Sequence, residues 1–293
     1  VTSGGTVTQI SDSSSCTSQS PTIADGGTVV SFASDCDLVS GSNADLSREI
    51  FLYNGGTLTQ LTSASDCTSA TPSIAADGSA VAFASDCDLV ATNSDLNSEI
   101  FHSDTAAGIT QLTNDSSASG CDSVSPSADS DASVVAFESD CDFTGQNSDD
   151  EVSEIFQVTS AGAVTQLTVS ADDDCSNIDP SSDSTGSYVS FTSNCDLSGG
   201  NSDGSDEVFR VSSDGTVVQL SNDDGTTFCA SLDTSISADG GFVVFESYCD
   251  LGGDNSDGSR EVFRYAGGTP EQLTEATGCS NQFPVATADG VVV

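Results

Sequence analysis

The sequence predicts an all-β fold: a six-bladed β-propeller of four-stranded antiparallel blades. Three observations predict it. A unit of about 50 to 55 residues recurs along the whole chain, a period that falls among propeller blades. Each unit divides into four short runs separated by Asp-Gly or Gly-Gly pairs, which is hairpin chemistry. No segment sustains a 3.6-residue apolar period, so helix is not expected. A β-solenoid is the alternative, although its rungs are usually shorter.

The repeat reads in a fixed order. Gln followed by Leu or Ile stands at Gln9, Gln60, Gln111, Gln166, Gln219 and Gln272. Cysteine follows at Cys16, Cys67, Cys121, Cys175, Cys229 and Cys279. The first strand is placed after the next Pro or Thr, and an Asp-Gly turn such as Asp25-Gly26 or Asp77-Gly78 closes it. The second strand is an apolar run ending at Phe32, Phe83, Phe137, Phe191 or Phe245. Cys-Asp then opens an acidic loop, and Glu-(Ile/Val)-Phe starts the third strand at Glu49, Glu99, Glu154, Glu207 and Glu261. The fourth strand carries the next Gln-Leu and alternates faces at each step. Six starts predict six blades in one propeller domain spanning residues 1–293, the last blade shared by the two termini.

Within each complete repeat two cysteines lie 20 residues apart: Cys16/Cys36, Cys67/Cys87, Cys121/Cys141, Cys175/Cys195 and Cys229/Cys249. Gly26 and Asp77, each in an Asp-Gly turn, are the midpoints of the first two pairs. Residues equidistant from a hairpin turn face one another, so each pair is expected as a disulfide at the open end of the first hairpin. Cys279 belongs to the sixth repeat, and its counterpart would lie past Val293. It is expected to be unpaired or intermolecular. Three readings stay open for that blade: a chain trimmed from a longer one, an incomplete blade, or a gap filled by another subunit through strand addition.

The acidic loop carries the strongest chemical signal. It reads Asp37, Asn43, Asp45, Glu49, then Asp88, Asn93, Asp95, Glu99, then Asp142, Asn147, Asp149, Glu154. The last two loops are Asp196, Asn201, Asp203, Glu207 and Asp250, Asn255, Asp257, Glu261. Oxygen side chains in alternation, with Gly and a later Glu, suit a hard cation, and calcium is the one expected. The same residues are also what a hydrogen-bonded turn uses, so both readings stand. Ser73, Ser125, Ser181 and Ser235 on the first strands are expected to line a polar channel.

These motifs resemble the TolB-like, WD40-like propeller repeats known as PD40. The likeness rests on Pro-x-Ile-Ala-x-Asp-Gly, Val-x-Phe-x-Ser, Asn-x-Asp ahead of Glu-Ile-Phe, and Thr-Gln-Leu-Thr, and it covers nearly the whole chain. It implies a periplasmic or extracellular scaffold, a binding module or an appendage of a larger enzyme. The aromatic residue usual near the Asp-Gly turn is missing here and paired cysteines are added.

Composition narrows the function. There are 46 Asp and Glu against four Arg, no Lys, and a net charge of −42. Such a chain has almost no cations to exchange for the counterions of nucleic acid and is repelled by anionic lipid surfaces. No apolar stretch reaches membrane-spanning length. The chain starts without Met or a signal-peptide pattern, as a mature or trimmed chain does. Eleven cysteines without CxxC spacing and a single histidine speak for an oxidising compartment, extracellular or at the cell surface, rather than zinc or haem. His102 falls at a variable position on a third strand and is expected as an ordinary exposed side chain. No nucleophile elbow occurs, and abundant carboxylates are not a tuned pair, so no enzyme is expected.

Two functions follow. One is a secreted, disulfide-stapled propeller that self-associates through its edges or termini into an extracellular filament or surface layer. The other is a carbohydrate- or protein-binding module, with Tyr248 and Phe228 as off-repeat contacts. The sequon Asn114-Asp-Ser116 is a weak glycosylation pattern.

Overall fold

The structure is a computed structural model that describes residues 7–12, 15–104, 108–115, 120–147, 152–171, 174–222, 229–253, 255–275, 278 and 280–287. Asp149, Phe228, Cys279 and Ser116 lie outside the described residues. Among the described residues there is no helix. None is long and apolar enough to cross a membrane.

Among the described residues, twenty strands form five four-stranded sheets in chain order. The first holds β1 (Ser18–Ile23), β2 (Val29–Ser34), β3 (Glu49–Asn54) and β4 (Thr57–Gln60). The second holds β5 (Ser69–Ile74), β6 (Ala80–Ser85), β7 (Glu99–Asp104) and β8 (Gly108–Gln111). The third is built from β9 (Ser123–Ala128), β10 (Val134–Ser139), β11 (Glu154–Thr159) and β12 (Val164–Gln166). In the fourth are β13 (Asn177–Ser182), β14 (Tyr188–Ser193), β15 (Glu207–Ser212) and β16 (Val217–Gln219). The fifth contains β17 (Ser231–Ile236), β18 (Val243–Ser247), β19 (Glu261–Tyr265) and β20 (Glu271–Gln272). Contacts divide the chain into two compact units. One comprises Val1–Ser133 with Thr159–Ala163, and the other comprises Val134–Val158 with Val164–Val293.

The count of blades corrects the sequence expectation: among the described residues there are five sheets, not six. A motif start is not yet a blade, because a blade requires a ladder. Residues 281–286 of the sixth repeat lie against the fifth sheet through isolated bonds, and residues 7–12 form no strand.

Burial explains the strand patterns. The second and third strands are packed on both faces and read as continuous apolar runs, with all six positions of β6 buried. Fourth strands sit at the edge and alternate, as in β4 and β8. The two repeated phenylalanines of a sheet are direct cross-strand partners, Phe32 with Phe51 and Phe191 with Phe209. Their rings stack at 5.6 and 5.7 Å, worth about 0.5–1.5 kcal/mol per pair beyond area burial. In the first unit, Ala33, Ile50 and Leu52 pack with Val81, Phe83 and Phe101. In the second, Val208 and Leu220 pack with Val243, Phe245 and Phe263.

First strands start earlier than the sequence suggested, and Pro lies inside them. Pro72, Pro126 and Pro180 are buried. The residue before each is left-handed, Thr71 at φ 46°, Ser125 at 51° and Asp179 at 54°, and Asp233 takes the same place in the fifth sheet at 51°. The register slips there, between Ala70 and Ser73 and between Ile178 and Ser181. This bulge lets a proline sit in a strand without removing a ladder bond.

Candidate functional site: the staple and loop face

Below the bulge the ladder runs straight to the cysteines. Ser69 faces Ser85, so two residues further out Cys67 faces Cys87. That disulfide spans 5.2 Å between Cα atoms, and Cys16–Cys36 spans 5.3 Å. Cys175–Cys195 and Cys229–Cys249 each span 5.0 Å. Cys121 and Cys141 are likewise disulfide-bonded. The five staples therefore close the open ends of the first hairpins, where the spacing placed them.

Each staple is tied to the acidic loop that follows it. The loop Asn is buried, and its Nδ2 reaches back to the half-cystine carbonyl: Asn43 to Cys36 at 3.3 Å, Asn201 to Cys195 at 3.3 Å and Asn255 to Cys249 at 3.3 Å. Asn93 and Asn147 make the same bond to Cys87 and Cys141 at 3.4 and 3.5 Å. The same Nδ2 also donates to the far side of the loop, to Ser47, Asn97, Val152, Ser205 and Ser259. At the loop entrance Asp37, Asp88, Asp142, Asp196 and Asp250 each accept the backbone N–H of that Asn. The N–H groups of Gly41 and then Asn43 hold the Asp37 carboxyl below its usual value.

The Glu of each loop is buried as well, and it caps the end of the third strand. Glu49 accepts from Ala64 N and Ser47 Oγ. Glu99 accepts from Asp115 N at 2.8 Å and from the Thr113 hydroxyl. Asn177 Nδ2 and Thr168 donate to Glu154, while the Ser221 and Thr274 hydroxyls donate to Glu207 and Glu261. Burial pushes Glu99 up to about 7 and raises Glu154. Exposed at the loop surface are Asp45, Asp95, Asp203 and Asp257, with Asp203 and Asp257 capping Ser205 and Ser259, beside the entrance residues Asp37, Asp88, Asp196 and Asp250. The expected ligand sets are thus split between buried hydrogen-bonding groups and exposed carboxylates. Among the described residues, close groups of three carboxylate, sulfur or imidazole ligands include Cys16, Asp35, Cys36 and Cys67, Asp86, Cys87, whose sulfurs are already in disulfides. None is a loop set.

Other expectations shift too. His102 is half-buried rather than exposed. Burial lowers its pKa, and its Nε2 has no hydrogen-bond partner. The reason is that this face of the third strand packs inward, as buried Leu52 and Gln157 show. Ser73, Ser181 and Ser235 act as acceptors for Ala128 N, Ile236 N and Ala286 N, stitching successive repeats. Tyr248 is half-exposed, and its hydroxyl accepts from Arg260 Nε at 2.8 Å. The sequence reading missed Glu138 and Glu246. They follow the second-strand Phe where other repeats have Ala33, Ala84 and Thr192, and that departure was the available signal.

Cavities on the described surface include two of note. One of about 420 Å³ in the first unit is lined by Asp35, Asp45, Asp66, Asp86 and Arg48 with exposed Leu46. The other, of about 300 Å³ in the second unit, is lined by Gln219, Leu220, Leu251, Tyr265, Thr269 and Pro270.

No family model and no curated protein matches the sequence. Solved structures do. TolB from Acinetobacter baumannii superposes with a TM-score of 0.52 at 18% identity over 89% of this chain and 56% of its own. The oligogalacturonate lyase of Vibrio parahaemolyticus gives 0.61 at 15% identity, over 92% of this chain and 67% of its own. The β-propeller domain of the Trilobed protease from Pyrococcus furiosus, described as having an open velcro topology, gives 0.56 at 10% identity over 93% and 76%. The chain therefore spans little more than half the length of TolB. At these identities the likeness shows the fold, a TolB-like β-propeller stabilised by disulfides. It also corrects the expectation that no enzyme is present. A lyase shares this fold, so repeat symmetry and the lack of a triad sequence do not exclude catalysis. The staples speak for an oxidising environment, extracellular or periplasmic.

Proposed function

We propose that the chain is an extracellular structural element, a stapled propeller that associates head to tail with its own copies into a filament or surface layer. One observation carries this reading. Strand β1 is exposed at five of its six positions, with Ile23 61% exposed. Its counterparts β5, β9, β13 and β17 are mostly buried or half-buried. Those strands are covered because successive repeats dock by one contact. Ser69 N donates to Arg48 O at 2.8 Å, Ser123 N to Ser98 O at 2.7 Å, and Ser231 N to Asp206 O at 2.8 Å. A surface left open at β1 fits a sheet of the same repeat, and such a contact between unlike faces propagates rather than closes.

The charge of −42 opposes association of copies, so salt or divalent cations favour it. Calcium belongs to this proposal, bound by exposed Asp45, Asp95, Asp203 and Asp257 while Asn and Glu shape the loop. Sedimentation velocity from low to molar salt, with and without calcium, tests it. The expected result is salt-promoted oligomers that Ile23→Asp abolishes. A wild-type monomer under every condition contradicts it.

A second reading is favoured by the 300 Å³ cavity, where Tyr265, Leu251 and the Gln219 amide suit a neutral carbohydrate. Saturation-transfer NMR with neutral oligosaccharides tests it, and signal that persists in Tyr265→Ala removes that site.

A further inference from the structure

Two leucines stand where loops of the same repeat have glycine. Gly204 and Gly258 follow the exposed loop Asp in the fourth and fifth sheets, at φ 70° and 64°. In the first two sheets the same place is held by Leu46 at 61° and Leu96 at 60°. The turn itself is shared: Leu46 N donates to Asn43 O at 3.4 Å, as Gly204 N donates to Asn201 O at 3.4 Å. A bulky side chain is disfavoured in this left-handed region, and glycine carries no such cost. Burial does not offset it, since Leu46 is 57% exposed and Leu96 58%. An apolar side chain that is both strained and exposed does little for the fold, and strain of this kind gathers where a ligand is held.

Leu46 also lines the cavity of about 420 Å³ in the first unit, together with Asp35, Asp45, Asp66 and Asp86. Arg48 is the one cation among its lining residues. The carboxylates outnumber that guanidinium, so the cavity attracts a positively charged group. Arg210, Arg260 and Arg264 each lie over an aromatic ring, at 4.7, 4.8 and 4.9 Å. Arg48 has no ring contact and no ion pair among the described residues, which leaves its N–H groups for a peptide carbonyl.

We propose that Leu46, Leu96 and the cavity beside Leu46 form a docking surface for a segment of another protein in which Lys or Arg stands next to apolar side chains. The leucines supply the apolar contact, and the cavity carboxylates draw in the basic groups. A second copy of this chain does not supply such a segment. It has no Lys, and Arg210, Arg260 and Arg264 are already laid over their rings. The docking surface stands independently of self-association.

Fluorescence anisotropy on the intact chain tests it with two labelled peptides of equal charge, one alternating Lys with Leu and one alternating Lys with Ser. A chelator is present so that calcium does not compete for Asp45. Wild type is expected to bind the Leu peptide about tenfold more tightly than the Ser peptide. Leu46→Gly with Leu96→Gly is expected to remove that preference while its Tm stays level or rises, because glycine suits the left-handed turn. Asp45→Asn with Asp66→Asn is expected to weaken binding of the Leu peptide severalfold. Equal affinity of wild type for the two peptides shows only general attraction to an acidic surface and overturns the docking surface. A preference that persists in the double leucine variant overturns it too. Leu46→Asn with Leu96→Asn, polar and tolerant of the left-handed backbone, serves if the glycine variant does not fold. A lower Tm in both variants assigns the leucines to the fold and also overturns the proposal.

Discussion

Replacing both Cys67 and Cys87 by alanine removes one staple from the first unit. The loop it closes has a sequence separation of 20 residues. In the chain-entropy model such a loop removes about 11 cal/mol/K from the denatured ensemble, or about 3 kcal/mol at 25 °C. Native contacts change little, because the flanking ladder from Ser69 to Ser85 and the Asn93 to Cys87 carbonyl bond involve other atoms. For a chain of this size about 3 kcal/mol corresponds to a fall in Tm of about 6–12 °C. Calorimetry under non-reducing conditions measures it, with the Cys229→Ala/Cys249→Ala variant beside it. Equal staples in equivalent hairpins predict equal losses, and staples that share no partner predict that the losses add. A fall under about 2 °C, or two losses differing severalfold, refutes the reasoning that the staples act by restricting the unfolded chain.

Gly252→Ser restores the hydroxyl that Thr92, Thr144 and Ser198 offer to Gln111, Gln166 and Gln219, and that Gln272 Oε1 lacks. Urea unfolding is expected to show a gain of about 0.5–1 kcal/mol. Asn255→Ala strips partners from the Cys249 and Ser259 carbonyls, and a loss of about 2–3 kcal/mol is expected in the same assay. Glu99 has a raised folded pKa of about 7, so the stability it contributes is whole below about 4.5 and lost as pH rises through 7. The urea midpoint of wild type is therefore expected to fall between pH 5 and 8 more steeply than that of Glu99→Gln. Calcium is tested by melting with and without a chelator: a rise with calcium that Asp203→Asn with Asp257→Asn removes supports it, and an unchanged midpoint removes it from the account.

Much of this architecture was visible in the sequence because repeats expose what each position has in common. The apolar runs at Phe83 and Phe101 marked the middle strands, and the constant cysteine spacing survived as register in the ladder. First strands were misplaced because a left-handed residue before Pro, such as Thr71 or Asp179, has no composition signal: Thr, Ser and Asp all occupy it. The loops were legible as polar but not in their division of labour. Asn43 and Asp45 carry similar oxygens, and only burial separates the residue that folds the loop from the one that faces water. Glu246 was hidden among many carboxylates until the fold set it against Arg260 and the Phe283 N–H.

Electron microscopy at molar salt with calcium tests the assembly reading most directly. The account predicts polar rows of particles in wild type and dispersed particles in Ile23→Asp. Dispersed wild-type particles, or rows that persist unchanged in Ile23→Asp, would contradict it.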